Sequence, residues 1–208
     1  DVAIVQKGLV WEDLGEKKAL IATSSIRRKA MWLHRFPHHQ FQNIRGNIQT
    51  RLKKFYEGEY DVLIMAKAAI DRMETELQNT RVLDFLPAPA QGAIACLCRS
   101  GSENLLKYTE TFNDDETYLT VSMERHFLRL LEGGCSSPIG ALARIEQDEL
   151  HFKGEILSLD GRKHVAIEKR LPIHQYTEGL MKEWVAEIKA QGGEEILEEL
   201  KRDANRAS

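Results

Sequence analysis

The chain has 208 residues, with 29 Lys and Arg against 32 Asp and Glu, a formal net charge of −3, and 42% hydrophobic residues. This composition excludes a disordered or collagen-like chain, and the length supports one large domain or two small ones with a core of their own. No apolar run approaches the roughly 18 residues that cross a bilayer.

In chain order, residues 1–86 predict an α/β unit. Residues 19–22 and 60–66 read as short apolar strands, residues 27–35 and 48–56 as helices, and residues 41–45 as extended. That alternation predicts βαβ units in a mostly parallel sheet. Ser24-Ser25 and Gly46-Asn47 stand where caps of the two helices belong. Residues 87–114 open on the stiff Pro87-Ala88-Pro89, then predict a short buried strand at 93–98 and a helix at 104–111. One strand and one helix cannot bury their own apolar faces, so this piece is expected to dock on something larger. Residues 115–208 predict an α+β unit. A helix carries Leu119, Met123, Phe127, Leu130 and Leu131 and stops at Gly133-Gly134. Strands follow at 141–145, 150–158 and 164–171, with Asp160-Gly161 as a hairpin signal. A last helix aligns Met181, Trp184, Val185 and Ile188 and breaks at Gly192-Gly193.

The charge is unevenly spread. From Ala22 to Tyr56 there is no Asp or Glu, while Arg27, Arg28, Lys29, Arg35, Arg45, Arg51, Lys53 and Lys54 contribute eight positive charges. At the average frequency of the chain such a stretch would hold about five acids. A segment of this kind attracts an anion: a phosphate, a nucleic acid or a polycarboxylate. Arg27, Arg28, Arg45 and Arg51 are the strongest candidates, since a guanidinium grips a carboxylate through two parallel N–H bonds and keeps its charge. Lys53 and Lys54 read as surface residues. The aromatics of the segment are few and the rest of the chain is acidic, unlike a domain with an extended basic face.

The three cysteines, Cys96, Cys98 and Cys135, form no CxxC pair, which argues against a disulfide framework or a zinc site and fits a reducing compartment. Cys96 and Cys98 read as inert core residues of the 93–98 strand. Cys135 follows two glycines and precedes Ser-Ser-Pro, so it is expected on an exposed turn. The negative end of the preceding helix disfavours a thiolate there, so this sulfur suits a permanent anchor better than a cycling nucleophile. His38 and His39 lack a nearby carboxylate or Cys partner, so no metal site is expected.

Four motifs carry a resemblance: Ala22-Thr23-Ser24-Ser25-Ile26-Arg27-Arg28; Ile44-Arg45-Gly46-Asn47 with Thr50-Arg51-Leu52; Leu86-Pro87-Ala88-Pro89-Ala90-Gln91-Gly92-Ala93; and Leu131-Glu132-Gly133-Gly134-Cys135 with Pro138-Ile139-Gly140. In this order they closely resemble the porphobilinogen deaminase (hydroxymethylbilane synthase) family over nearly the whole chain. The resemblance implies an enzyme that joins four porphobilinogen molecules into hydroxymethylbilane with release of ammonia, on a dipyrromethane cofactor bound by a thioether at Cys135. It implies cofactor and substrate contacts from Thr23, Ser24, Ser25, Arg27, Arg28, Arg45, Gly46, Arg51, Ala66, Arg72, Gln91 and Gly92. It further implies a periplasmic-binding-protein-like α/β domain at 1–86, a strand–helix segment of another domain at 87–114, and a C-terminal α+β domain with a three-stranded sheet at 115–208. The partners expected are porphobilinogen and polypyrrole intermediates, with no nucleic acid and no membrane, for a monomeric cytoplasmic enzyme.

Three departures from the family pattern stand out. The family's catalytic aspartate should precede Asp1, so no catalytic residue is assigned here and the chain is expected to be inactive alone. Ala90 stands where the family usually has Gly, and Lys67 adds a cation near the cleft. The alternative reading is a non-catalytic anion- or nucleic-acid-binding module. The Gly-Gly-Cys135 loop argues against it, since a binding module has no use for such a loop.

Overall fold

The computed structural model describes residues 1–72, 77–134 and 137–207. Two sheets organise them. The first contains β1 (Val2–Val5), β2 (Leu20–Ala22), β3 (Gln40–Gln42), β4 (Val62–Met65) and β5 (Thr80–Val82), in the order β3-β2-β4-β1-β5. β2 runs parallel to β3 and β4, while β1 is antiparallel to both β4 and β5. The sheet is therefore mixed, not mostly parallel as the alternation predicts.

Side chains of a strand point alternately to opposite faces, and here both faces are covered. Ala3, Val5, Ile21, Val62 and Ile64 meet Trp32 and Phe36 of α1 (Ile26–Arg35) together with Leu14. Val2, Ile4, Ala22, Leu63 and Met65 meet Leu52 and Phe55 of α2 (Ile48–Tyr56). This two-sided burial is why Val2–Val5 and Val62–Met65 are unbroken apolar runs. His39 belongs to the same core: its Nδ1 accepts from the Trp32 indole N–H at 2.9 Å, and its Nε2 lies 2.9 Å from the Leu14 carbonyl. A short helix, α3 (Lys67–Asp71), follows β4.

The second sheet is antiparallel, β6 (Ile139–Glu146), β7 (Glu149–Leu157) and β8 (His164–Pro172). Gln147 (φ 51°) and Asp148 (φ 64°) form the two-residue connection between β6 and β7. Positive φ at both positions matches the turn to the right-handed twist of the flanking strands. One face packs on α5 (Asp115–Leu130) and α6 (Glu178–Ile188) through Met123, Phe127, Phe152, Ile156, Met181 and Trp184. Phe127 lies against Gly154 so closely that a Cβ there would come 2.5 Å from its ring. After α6 the chain does not end its helical course at Gly192-Gly193. Gly192 (φ 108°) kinks the turn Lys189–Gly193, and α7 (Glu194–Ala207) continues, burying Ile196 and Leu197.

Between the two sheets runs the connection from Leu83 to Asn113. It includes α4 (Glu103–Glu110) but no strand at 93–98. Ile94 is 91% and Leu97 94% exposed, Cys96 is exposed and Cys98 half-buried, so neither cysteine is a core residue. A strand needs a neighbour for its backbone groups, and among the described residues none pairs with this run.

The two sheets meet across α1. Ala30 and Met31 pack on Leu157 with Phe85 and Leu86 beside them. Gly161, in the turn between β7 and β8, has φ +71° and sits against the α1 backbone. A Cβ there would lie 2.4 Å from His34 N and 2.5 Å from the Ala30 carbonyl oxygen. Gly58 also has positive φ (+82°) but open space around it. Urea denaturation should therefore separate the two. Gly58→Ala is expected to cost about 1 kcal/mol of left-handed strain, whereas Gly161→Ala, which also forces backbone apart, should cost about 2–4 kcal/mol.

Candidate functional site

The parallel strands β2, β3 and β4 lead directly into Thr23–Ser25, the Arg45-Gly46 turn and Ala66. All three lie beyond the C-terminal ends of neighbouring strands, the edge of an open α/β sheet where ligands bind. At the first turn, the Thr23 hydroxyl accepts from the Ser25 backbone N–H at 3.2 Å, and the Ser25 hydroxyl caps α1 by accepting from Arg28 N–H at 3.4 Å. At the second, Asn47 caps α2 through Thr50 N–H at 2.8 Å, and Gly46 (φ +112°) leaves its carbonyl to accept from Arg51 Nε at 2.8 Å.

Arg27 is 5% exposed. Its guanidinium donates to the Leu86 carbonyl (2.5 Å), the Asp1 carboxylate (2.7 Å) and the Gln91 side-chain oxygen (3.2 Å), and contacts Met31 sulfur at 3.4 Å. Its Nε is buried without a partner among the described residues. Arg28 reaches the other oxygen of Asp1 through Nε (3.1 Å) and Nη2 (2.8 Å). Burial pushes Arg27 down to about 10, with the Arg28 charge adding to the effect and Glu155 opposing it. Burial lowers Arg28 as well. With its pKa at about 10, Arg27 remains protonated at neutral pH. One carboxylate bridges the two guanidiniums beside the positive end of α1, so the geometry of this place suits a carboxylate or similar oxyanion.

The same residues line a cavity of about 280 Å³. Ser25, Arg27 and Arg28 form one wall, Ala88, Pro89 and Gln91 a second, and Leu128, Gly134, Ser137 and Ile139 the third. Gly134 and Ser137 flank Cys135-Ser136, which lie outside the described residues. The cavity thus joins the cationic start of α1 to the two ends of the cysteine loop.

Not every residue singled out in the sequence reaches this cavity. Thr23 is buried behind it, and Ser24 and Gly92 are exposed. Arg45 and Arg72 are exposed, and Arg51 is tied to Gly46; with Gly46 and Ala66 they share the sheet edge but not the cavity lining. Lys67 adds little net charge to that edge, because Asp71 pairs with it at 2.7 Å. The basic segment as a whole does not form one charged face. Trp32 is fully buried, and the Arg35 guanidinium lies over Trp11 and Phe36.

Sequence reasoning misses Glu124. It lies within the helical run of α5, is 6% exposed, and its carboxylate accepts from Ala90 N–H (2.6 Å) and Ala143 N–H (2.9 Å). Ala90 holds φ +64°, a strained value for a residue with a Cβ. Glu124 therefore clamps the turn that presents Gln91 to Arg27, and fastens it to β6. An acid beside the apolar stripe of α5 was the available signal.

The comparisons with known proteins agree with this architecture. A family model described as porphobilinogen deaminase, dipyromethane cofactor binding domain, matches residues 1–107, and one described as porphobilinogen deaminase, C-terminal domain, matches residues 118–190. The chain is 35% identical to a protein of Methanocella arvoryzae named "Probable porphobilinogen deaminase", over 99% of this chain and 68% of that protein. It is 36% identical to the porphobilinogen deaminase of Prochlorococcus marinus (strain MIT 9515), over 88% of this chain and 58% of that one. It is also 36% identical to that of Brevibacillus brevis, over 98% and 66%. The chain belongs to the porphobilinogen deaminase family, and spans between 58% and 68% of the length of these relatives.

Burial raises the Glu124 carboxyl, while the bonds from Ala143 and Ala90 pull the other way. A raised folded-state pKa means that the native state holds the proton more tightly than the unfolded chain. This contribution to stability is full below the unfolded value of about 4.3 and is lost as pH rises through the folded value. The stability of Glu124→Gln relative to the parent should accordingly improve as pH rises from about 4.3. Parallel urea titrations of the two proteins at a series of pH values would measure it, and a flat difference would contradict the assignment.

Proposed function

We propose that this chain serves the hydroxymethylbilane synthase reaction, the stepwise condensation of four porphobilinogen molecules with release of ammonia, with a dipyrromethane cofactor attached at Cys135. The observation that carries the reading is the shared cavity: Arg27 and Arg28 on one side, Gly134 and Ser137 on the other, with the loop cysteine between the last two. The residues present fit such a group, since its acetate and propionate side chains would find the two guanidiniums that Asp1 now bridges, and the orphaned Arg27 Nε offers one further donor. When bound, the dipyrromethane supplies the free pyrrole α-carbon from which the chain of rings grows.

The protein's own residues do the holding. Arg27 and Arg28 bind and orient carboxylates, and Gln91 fixes the Arg27 guanidinium. The first turn of α1, which contains no acid, adds its positive end. Arg45, Gly46, Arg51, Ala66 and Arg72 extend this role along the sheet edge, where the lengthening polyanion would lie; Thr23, Ser24, Ser25 and Gly92 complete the set. Proton handling on the pyrroles calls for a carboxylate, and among the described residues none lining the cavity is an acid. In this reading residues 1–86 form a periplasmic-binding-protein-like domain, 87–114 a connecting segment with one helix that packs on a further domain, and 115–208 the domain carrying the cysteine. The enzyme works as a cytoplasmic monomer on small pyrroles. Among the described residues, no helix is long and apolar enough to cross a membrane.

Intact-mass measurement of the full-length protein should show an adduct of two pyrrole units that Cys135→Ser abolishes; an active full-length protein with unmodified Cys135 would sink the proposal. In a full-length protein that contains this chain, Arg28→Gln should lower kcat/KM for porphobilinogen roughly 10- to 100-fold, the worth of one charged hydrogen bond.

A further inference from the structure

A second hollow, of about 540 Å³, lies where α5 faces the start of α6. On the α5 side it is lined by Ser122, Arg125, His126 and Arg129, and on the other by Thr177 and Glu178. Three features set these residues apart. Arg125 and Arg129 are exposed and four apart on one helix, so their charges repel. Several cations of this lobe are matched to acids, Lys153 with Glu168, Lys163 with Glu195 and Glu199, Lys169 with Glu187, and Lys201 with Glu132, while Arg144, Lys182 and Arg202 form no ion pair among the described residues. Among the described residues, no ion pair or hydrogen bond holds the side chain of either Arg125 or Arg129.

The second feature is His126. It is 8% exposed, and among the described residues neither ring nitrogen has a hydrogen-bond partner. The ring lines the hollow, with its nitrogens free to take a ligand there. Third, α6 begins in the opposite wall, with the Thr177 hydroxyl capping Leu180 N–H at 3.3 Å. Two guanidiniums, an imidazole and a helix start therefore outweigh the single Glu178 carboxylate. The volume exceeds what a bare ion needs and falls in the range of small-molecule sites. The rings of Tyr118 and Tyr176 at the walls suit a flat body.

We propose that this hollow is a binding site for a small organic oxyanion, with Arg125 and Arg129 gripping the oxyanion and His126 satisfying one of its oxygens. The site is separate from the Arg27–Arg28 cavity and does not rest on the deaminase reading. Calorimetric titration of the protein with inorganic phosphate, and separately with phthalate (a benzene ring bearing two adjacent carboxylates), tests it. Saturable binding of at least one probe is expected, and the tighter probe identifies phosphate or ring-borne carboxylate as the chemistry recognised. Arg125→Gln and Arg129→Gln should each weaken binding roughly tenfold or more, His126→Leu should weaken it several-fold, and Arg28→Gln should leave it unchanged. If His126→Leu does not fold, the two exposed arginines decide. Absence of saturable binding for both probes, binding that survives both arginine substitutions, or binding lost with Arg28→Gln would overturn the proposal.

Discussion

A guanidinium taken out of water loses several kcal/mol of solvation unless the protein replaces it. Arg27 recovers that loss from Asp1, Leu86 and Gln91, which stand 26, 59 and 64 residues away in sequence. One buried charge thus fixes the start of the first sheet, the end of that lobe and the connection to the second sheet relative to one another. Its location at the first turn of α1 compounds the effect, because the helix already presents its positive end there and Arg28 adds a second charge. The result is a concentration of positive potential answered by a single carboxylate, which is the physical description of an anion site.

The connecting segment is held with equal economy. Pro87 O accepts from Ala141 N–H at 3.0 Å, Gln91 N–H from its own turn reaches Ala88 O at 2.8 Å, and Glu124 receives Ala90. Gly140 lets Leu86 and Met31 approach β6, since a Cβ there would lie 2.7 Å from Leu86 Cβ. The walls of the arginine cavity therefore come from three stretches of chain whose relative placement depends on a few close contacts, not on a broad apolar interface.

Much of this was legible in the sequence, and the failures have physical causes. α1 and α2 announce themselves through caps at Ser25 and Asn47, and α5 through its apolar spacing. β2 and β4 show as apolar runs. β1 has the same character, yet without a flanking turn signal it could not be told from any short apolar stretch. β5 is exposed along its length, so no alternation marks it. Residues 93–98 err the other way: they are apolar enough for a buried strand, but burial is conferred by neighbours, and the described residues supply none. Gly192 signals a stop correctly in its backbone angle, while Ile196 and Leu197 carry the helix on. At the site, Arg27, Arg28 and Gln91 were visible as residue types in motifs. Asp1 and Glu124 were not, because a carboxylate's partner depends on where distant segments meet.

The strand order has a bearing on biosynthesis. β1 leaves the ribosome before the other strands of its sheet, yet it lies between β4 and β5, which arrive some sixty and eighty residues later. Among the described strands, Val2–Val5 has no partner until Val62–Met65 emerges, and its second edge waits for Thr80–Val82. Long-range pairing of this kind is slow and leaves an apolar ribbon uncovered in the interim. During synthesis Val2–Val5 is therefore a natural point of engagement for a chaperone that recognises extended apolar segments.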